Sequence, residues 1–347
     1  MILNDRKSIE KIDKSNMLGL IENFDRQCKE AGCIKIPSIK KKQYDFIILS
    51  GMGGSAIAGD ILKILVEMDS SVPFIVHRDY GLPGFIGKNS LVLAVSYSGN
   101  TEETISAYKQ AVSRGATVCA ISSGGEIEKL ASTCGMPHIK IPSGQPPRCS
   151  LGYLFFPLEK LLYTIGVIKQ CSSEKISNMA LSCRENYGID KIQDNKAKEI
   201  AYLVHNKNVV VYSGNTLSPS ALRWKTQLSE NSKHIASVNY FPEMNHNEIM
   251  AWNYPDFVVK NSVIFFFYDK GDNKRVKLRM DLTSKILGVK SLNIQKLNSY
   301  GKSTIERIFS LIILGDWVSF YLAILNGVDP TEIKEISYLK KELSLVE

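Results

Sequence analysis

The chain has 347 residues, of which 44% are hydrophobic and 22% charged, which is material for two domains and a sizeable core. Its formal net charge is +8, but the lysines are dispersed, and the densest group, "KIPSIKKKQYD" at 35–45, reads as a solvated linker ahead of the first strand. That pattern excludes a dedicated nucleic-acid arm, whereas a mildly basic surface suits the steering of phosphorylated small molecules.

In chain order, Ile9, Ile12, Met17, Leu20, Ile21 and Phe24 fall at helical spacing and predict an opening helical segment over 8–32. Short apolar runs then alternate with helical patterns. Strands are predicted over 45–50, 73–78, 90–96, 117–123 and 138–142, and helices over 57–68, 102–115, 126–134 and 150–166. The polar stretch 167–195 suits a connecting helix or linker. Alternation resumes with strands over 207–216, 234–241, 261–269 and 291–297 and helices over 220–233, 274–288 and 305–327, followed by the helical tail "TEIKEISYLKKELSLV". Apolar strands separated by helices predict parallel sheets covered on both faces.

Seven cysteines (28, 33, 119, 134, 149, 171 and 183) form no C-x-x-C pair and lie in apolar stretches, which reads as reduced, buried thiols of a cytoplasmic protein. The N-terminus is charged within its first ten residues, unlike a secretory signal. No run of about 18 apolar residues is read, so no membrane span is expected.

The two halves align as a divergent internal repeat. "DFIILSGMGGSAIAGDILK" matches "NVVVYSGNTLSPSALRWKT" as strand, glycine turn and helix, and "SLVLAVSYSGNT" matches "SVIFFFYDKGDN", which has lost the hydroxyls. The expected organisation is an N-terminal helical segment and linker over 1–44, a first α/β domain with the phosphate-binding loops over 45–166, a connecting segment over 167–195, and a second α/β domain with a helical tail over 196–347. Each domain is read as a doubly wound parallel sheet.

Two loops carry the chemistry. "GMGGSAIAGD" follows a strand and opens a helix, so the backbone amides of Gly53 and Gly54 and the hydroxyl of Ser55 stand at the helix N-terminus, where the dipole favours negative charge. Gly51, Gly53 and Ala56 also satisfy a relaxed dinucleotide fingerprint, but the acid expected about twenty residues on is Asp79, late and behind His77 and Arg78. The second loop, "SYSGNTEET", ends a buried strand with Ser96, Ser98 and Thr101. In a doubly wound sheet such loops converge on one crevice, where small hydroxyls would ring a phosphomonoester. A helix cap at Thr101 would explain only one of the three.

Together, "GMGGSAIAGD" and "SYSGNTEET" resemble the sugar isomerase (SIS) domain. With "PPRCSLGYLFFPL", "SEN" and "EMNHNEI", the chain is similar over nearly its whole length to the bifunctional phosphoglucose/phosphomannose isomerase family. The residues alone say less: Arg148 stands in a proline-stiffened loop, Glu230 ends an amphipathic helix, His246 lies in a polar loop without metal-ligand spacing, and Lys340 and Lys341 sit in the helical tail. The resemblance implies that Glu230 shuttles a proton between C1 and C2. It implies that Arg148 stabilises enediolate charge, and that His246 and Lys340 open the sugar ring. It further implies a homodimer with His246 supplied across the interface, a hexose 6-phosphate substrate, no cofactor and no metal. Relatives often carry threonine at the position of Ile333, and Thr331 is the nearest threonine here. The expectation is an aldose–ketose isomerase acting on glucose 6-phosphate or mannose 6-phosphate, the alternative being a non-catalytic sugar-phosphate-sensing module.

Overall fold

The structure, a computed structural model, describes residues 2–290 and 292–345. The opening helical segment divides into three helices, α1 (Arg6–Ile12), α2 (Met17–Glu22) and α3 (Phe24–Cys33). Asp13 makes the first break. Its two carboxylate oxygens accept the backbone N–H groups of Met17 and Leu18, each at 2.8 Å, and so cap α2.

From there the chain alternates through β1 (Phe46–Ser50), α4 (Gly53–Asp69), β2 (Phe74–His77), β3 (Ser90–Val95), α5 (Glu102–Ser113), β4 (Thr117–Ser122), α6 (Gly125–Thr133), β5 (His138–Lys140) and α7 (Leu151–Thr164). These strands form one parallel sheet in the order β2-β1-β3-β4-β5. All of β3 and all but the first residue of β1 are buried. That explains the continuous apolar runs: a strand covered on both faces has no polar side to alternate with. Val92, Ala94, Val118 and Ala120 pack with Tyr108, Ala111, Ile127 and Ala131 from α5 and α6.

The polar stretch after α7 holds α8 (Ser173–Tyr187). A second series follows: α9 (Lys196–Val204), β6 (Asn208–Ser213), α10 (Ser218–Ser232), β7 (Ala236–Tyr240), α11 (Asp256–Lys260), β8 (Ser262–Tyr268), α12 (Lys274–Gly288), β9 (Asn293–Asn298), α13 (Thr304–Leu325) and α14 (Lys334–Leu343). Ser291 and Val346, at the ends of two predicted elements, lie outside the described residues. The second sheet is also parallel, ordered β7-β6-β8-β9. Its core sets Tyr212, Ile264 and Phe266 against Phe241, Met244, Trp252 and Met280. The two sheets wind alike, with β6 and β8 in the places of β1 and β3, so the fold is two doubly wound parallel sheets built on an internal repeat. The chain folds as two compact units, Asn23–Ser182 with Gly301–Phe309, and Met1–Glu22 with Cys183–Tyr300 and Ser310–Glu347.

Two expectations need correction. An 18-residue window of α13 has a mean hydropathy of 2.1, so this helix is long and apolar enough to cross a membrane by length and composition. However, 89% of that window is buried within the protein, as a core helix requires. Of the cysteines, all seven are free, but only Cys28, Cys119 and Cys183 are buried, while Cys33, Cys134 and Cys171 are exposed.

Glu159, in the middle of α7, is 1% exposed. It accepts the Ser172 N–H at 3.0 Å and the Ser172 hydroxyl at 2.6 Å, just ahead of α8. Burial outweighs these bonds and pushes its carboxyl up to about 7. Because this value lies above the unfolded one, the stabilisation is complete below the unfolded pKa and is lost as pH rises through about 7. The ionised form is disfavoured by about 3 kcal/mol. Glu159→Gln should therefore raise the melting temperature at pH 8 and flatten its decline between pH 5 and 8. An unchanged pH dependence of thermal unfolding would refute this.

Candidate active site

In the five-stranded sheet the winding reverses between β1 and β3, the position where crevices open outside the carboxyl ends of strands. Ser50 is in register with Ala94, so the loops after β1 and β3 leave the sheet side by side. A Cβ placed on Gly51 would stand 2.8 Å from the Val95 carbonyl oxygen, which is why that turn takes glycine. A Cβ on Gly54 would stand 3.1 Å from the Pro147 oxygen and 3.5 Å from the Arg148 Cα. Gly53 and Gly54 open α4, where backbone N–H groups lack helical partners. Thus Gly53, Gly54 and Ser55, the loop of Ser96, Ser98 and Thr101, and Arg148 converge at one end of this sheet.

The hydroxyls are not equivalent. Ser96 is buried, and its Oγ accepts the Gly99 N–H at 3.1 Å and lies 2.8 Å from the Thr101 hydroxyl, so it closes its own loop. Ser98 is exposed, and its Oγ accepts the Asn100 N–H at 3.2 Å. Thr101 occupies the N-cap of α5 without a side-chain capping bond, so its hydroxyl is not there to cap the helix.

The loop is held from outside by the turn into α6. Ser123 N–H donates to the Tyr97 carbonyl at 2.8 Å, Ile127 N–H to the Gly99 carbonyl at 2.9 Å, and Glu126 N–H to Asn100 Oδ1 at 2.9 Å. Gly99, at φ +75°, and Gly125, at φ +76°, press backbone against backbone there.

Arg148 is 3% exposed, in the short 3-10 turn Pro147–Cys149. Sequence reading missed the brace of this turn. Gln27 of α3 donates to Gln145 Oε1 at 3.0 Å and to the Cys149 carbonyl at 2.8 Å, while its own Oε1 accepts the Gly152 N–H at 2.7 Å. The Gln145 N–H also donates to the Tyr97 hydroxyl at 3.1 Å, joining the Arg148 turn to the serine loop. A lone glutamine in an amphipathic helix gives no sequence signal of this role beyond its place on the buried face.

Glu230, His246 and Lys340 belong to the unit of the second sheet. Glu230 is half-buried in the last turn of α10. That helix is locked to α13 by an ion pair whose arginine is buried: Arg223 Nε donates to Asp316 Oδ1 at 3.0 Å and Nη2 to Oδ2 at 2.8 Å. Trp224 Nε1 donates to the Leu311 carbonyl at 2.6 Å, and Gly315 is required because a Cβ there would collide with the Trp224 indole.

His246 is exposed at the end of the 3-10 turn Glu243–His246. Its loop is anchored by buried Met244 and Trp252 and by Glu248, which accepts the Tyr212 hydroxyl at 2.6 Å. Burial and that carboxylate hold the Tyr212 phenol well above its ordinary value. Lys340 and Lys341 are both exposed on α14, none of whose residues is buried. Ile333 is the N-cap of that helix.

The second sheet reverses between β6 and β8, but its crevice is chemically different. A Cβ on Gly214 would stand 2.5 Å from Asp272 Oδ1. Asp269, 2% exposed, accepts the Gly271 N–H at 2.7 Å and the Ser299 hydroxyl at 2.6 Å. Acidic side chains fill the place that hydroxyls hold in the first sheet and oppose an anion there. Among the described residues no three or more His, Cys, Asp and Glu side chains are grouped so as to hold a metal ion.

Residues 41–136 match the SIS domain, and residues 193–343 match the bacterial phospho-glucose isomerase C-terminal SIS domain. The fold is shared with a glucose-6-phosphate isomerase-like protein from Thermus thermophilus, at a TM-score of 0.65 and 15% identity over 98% of each chain. The fold and its glycine and serine loops therefore define a sugar isomerase (SIS) protein.

Over 311 residues the chain is 40% identical to the bifunctional phosphoglucose/phosphomannose isomerase of Caldicellulosiruptor bescii, covering 88% of this chain and 92% of that protein. The enzyme of the same name from Thermoplasma acidophilum is 38% identical over 307 residues, with the same coverage of each. The chain belongs to the bifunctional phosphoglucose/phosphomannose isomerase family.

Proposed function

We propose that this protein interconverts glucose 6-phosphate or mannose 6-phosphate with fructose 6-phosphate through a cis-enediol. The observation that carries the reading is the convergence, at the reversal between β1 and β3, of the Gly53–Gly54–Ser55 turn, the Ser96–Thr101 loop and buried Arg148.

In this reading the phosphate is held by the amides of Gly53 and Gly54 and by the hydroxyls of Ser55, Ser96, Ser98 and Thr101. On binding, Ser96 and Thr101 exchange their mutual bond for the phosphate oxygens. His246 and Lys340 move the protons that open the ring. Glu230 then takes the proton from C2 of the open aldose and returns it to C1, while the hydroxyl proton passes from O2 to O1. Arg148 stabilises the negative charge on the enediolate oxygens. Glucose and mannose differ only at C2, which becomes planar, so both aldoses give one intermediate and the route is indifferent to the epimer.

A homodimer completes the proposal, with His246 supplied by the second copy. Support comes from the segment that follows that histidine: Met250, Tyr254 and Phe257 are 71%, 84% and 71% exposed in the single chain, large apolar side chains of the kind that another protein surface covers.

One preparation tests both parts. A coupled assay with EDTA present should show turnover of glucose 6-phosphate and of mannose 6-phosphate, and sedimentation equilibrium should return twice the chain mass. Phosphosugar binding without turnover of either aldose would refute the isomerase, and a monomer at assay concentration would refute the shared histidine.

A further inference from the structure

The carboxyl end of α10 is built in an unusual way, and it adjoins Glu230. Lys233 follows the helix at φ +53°, in the left-handed region where glycine is the usual residue. A lysine there bears a strain that glycine would not. What it adds is an ammonium folded back on the main chain. Lys233 Nζ donates to the carbonyls of Glu230 at 3.1 Å and Asn231 at 3.2 Å, and to that of Asp329 at 2.6 Å. The first two are carbonyls at the end of a helix, which lack helical donors and carry the negative end of its dipole. The third lies beyond α13, on the segment that leads into α14.

A second tie runs beside the first. Asn326 Nδ2 donates to the Ser232 carbonyl at 2.9 Å, and the Asn231 amide donates to the Ser319 hydroxyl at 3.0 Å. The Asp329 side chain in turn accepts the Thr331 N–H at 2.8 Å, shaping the turn before Ile333. None of the residues of α14 is buried, and the helix leaves the protein from this root. The helix end that bears Glu230 is therefore joined to the root of the helix that bears Lys340 by one ammonium, and to α13 and the residue after it by two amides.

We propose that Lys233 is a positioning residue for the isomerisation: it fixes the Glu230 backbone and the root of the Lys340 helix in one frame and touches no substrate itself. This rests on the assignment of Glu230 and Lys340 above. The strained backbone is the signature, because glycine would serve the turn and only the ammonium needs the lysine.

The test is steady-state kinetics of Lys233→Gly and Lys233→Arg beside the wild type, with melting temperatures. Glycine relieves the left-handed strain while deleting three bonds, so the melting temperature should stay within about 3 °C of the wild type. A misplaced base costs rate rather than binding, so kcat should fall at least about tenfold with KM within twofold. Arginine, whose guanidinium can reach the same carbonyls, should restore most of kcat.

Wild-type kcat in Lys233→Gly overturns the proposal. So does a fall in kcat that follows a lowered melting temperature and is not restored by arginine, since that is a structural role alone. If Lys233→Gly does not fold, Lys233→Met is judged by the same criteria. A wild-type protein that turns over neither aldose refutes the isomerase reading itself, and this inference falls with it.

Discussion

Glu230→Gln should lower kcat for both aldoses by about a thousandfold while leaving fructose 6-phosphate binding within threefold of the wild type. Glutamine keeps the shape of the side chain and removes its capacity to take a proton from carbon. The helix that carries it has anchors of its own. Arg223 and Gln227 both bond Asp316, Trp224 bonds the Leu311 carbonyl, and the backbone at Glu230 is held by Lys233. A loss of rate can then be read as chemistry, provided that calorimetry shows the sugar phosphate still bound. The sensing alternative predicts the same binding and has no turnover to lose. A variant that keeps more than a tenth of wild-type kcat would remove Glu230 from the mechanism and leave the proton to another base.

How far the sequence could be read follows from where its constraints are local. β1, β3 and β8 were legible because strands covered on both faces must be apolar throughout, and the glycine turn after β1 because backbone passes too close there for a side chain. The repeat was legible for the same reason. Its meaning was only half visible: the loss of hydroxyls after β8 could be seen, but not that Asp272 stands against Gly214 in their place.

Long-range pairings left no pattern to read. Gln27 and Gln145 lie 118 positions apart, and Lys233 and Asp329 lie 96 apart, so neither tie has a spacing of its own. The apolar character of α13 was underrated because a buried core helix and a membrane helix have similar composition, and only packing separates them. Cys33, Cys134 and Cys171 were misplaced because a cysteine near a helix end can face either way.

Gly99→Ala should abolish tight phosphosugar binding and destabilise the unit that holds the serine loop. Gly99 is at φ +75°, where an alanine pays about 1 kcal/mol. The greater difficulty is space, because a Cβ there would overlap the Gly124 carbonyl and stand 3.0 Å from the Gly125 Cα. Neither neighbour is a side-chain tip that can swing aside. The turn into α6 would have to withdraw, and with it the N–H groups of Ser123, Glu126 and Ile127 that hold Tyr97, Asn100 and Gly99.

Each lost bond costs about 1 kcal/mol and the overpacking another 1–3, so a total of at least about 3 kcal/mol is expected. Because Ser98 immediately precedes Gly99 and Thr101 follows two positions after it, the geometry of the hydroxyls goes with it. Calorimetric titration with fructose 6-phosphate should show affinity weakened at least about tenfold in whatever fraction folds, beside a melting temperature clearly below that of Glu230→Gln. Wild-type affinity in Gly99→Ala would mean that the phosphate is not held by this loop. The crevice between β1 and β3 would then have to bind the substrate through the Gly53–Ser55 turn and Arg148 alone.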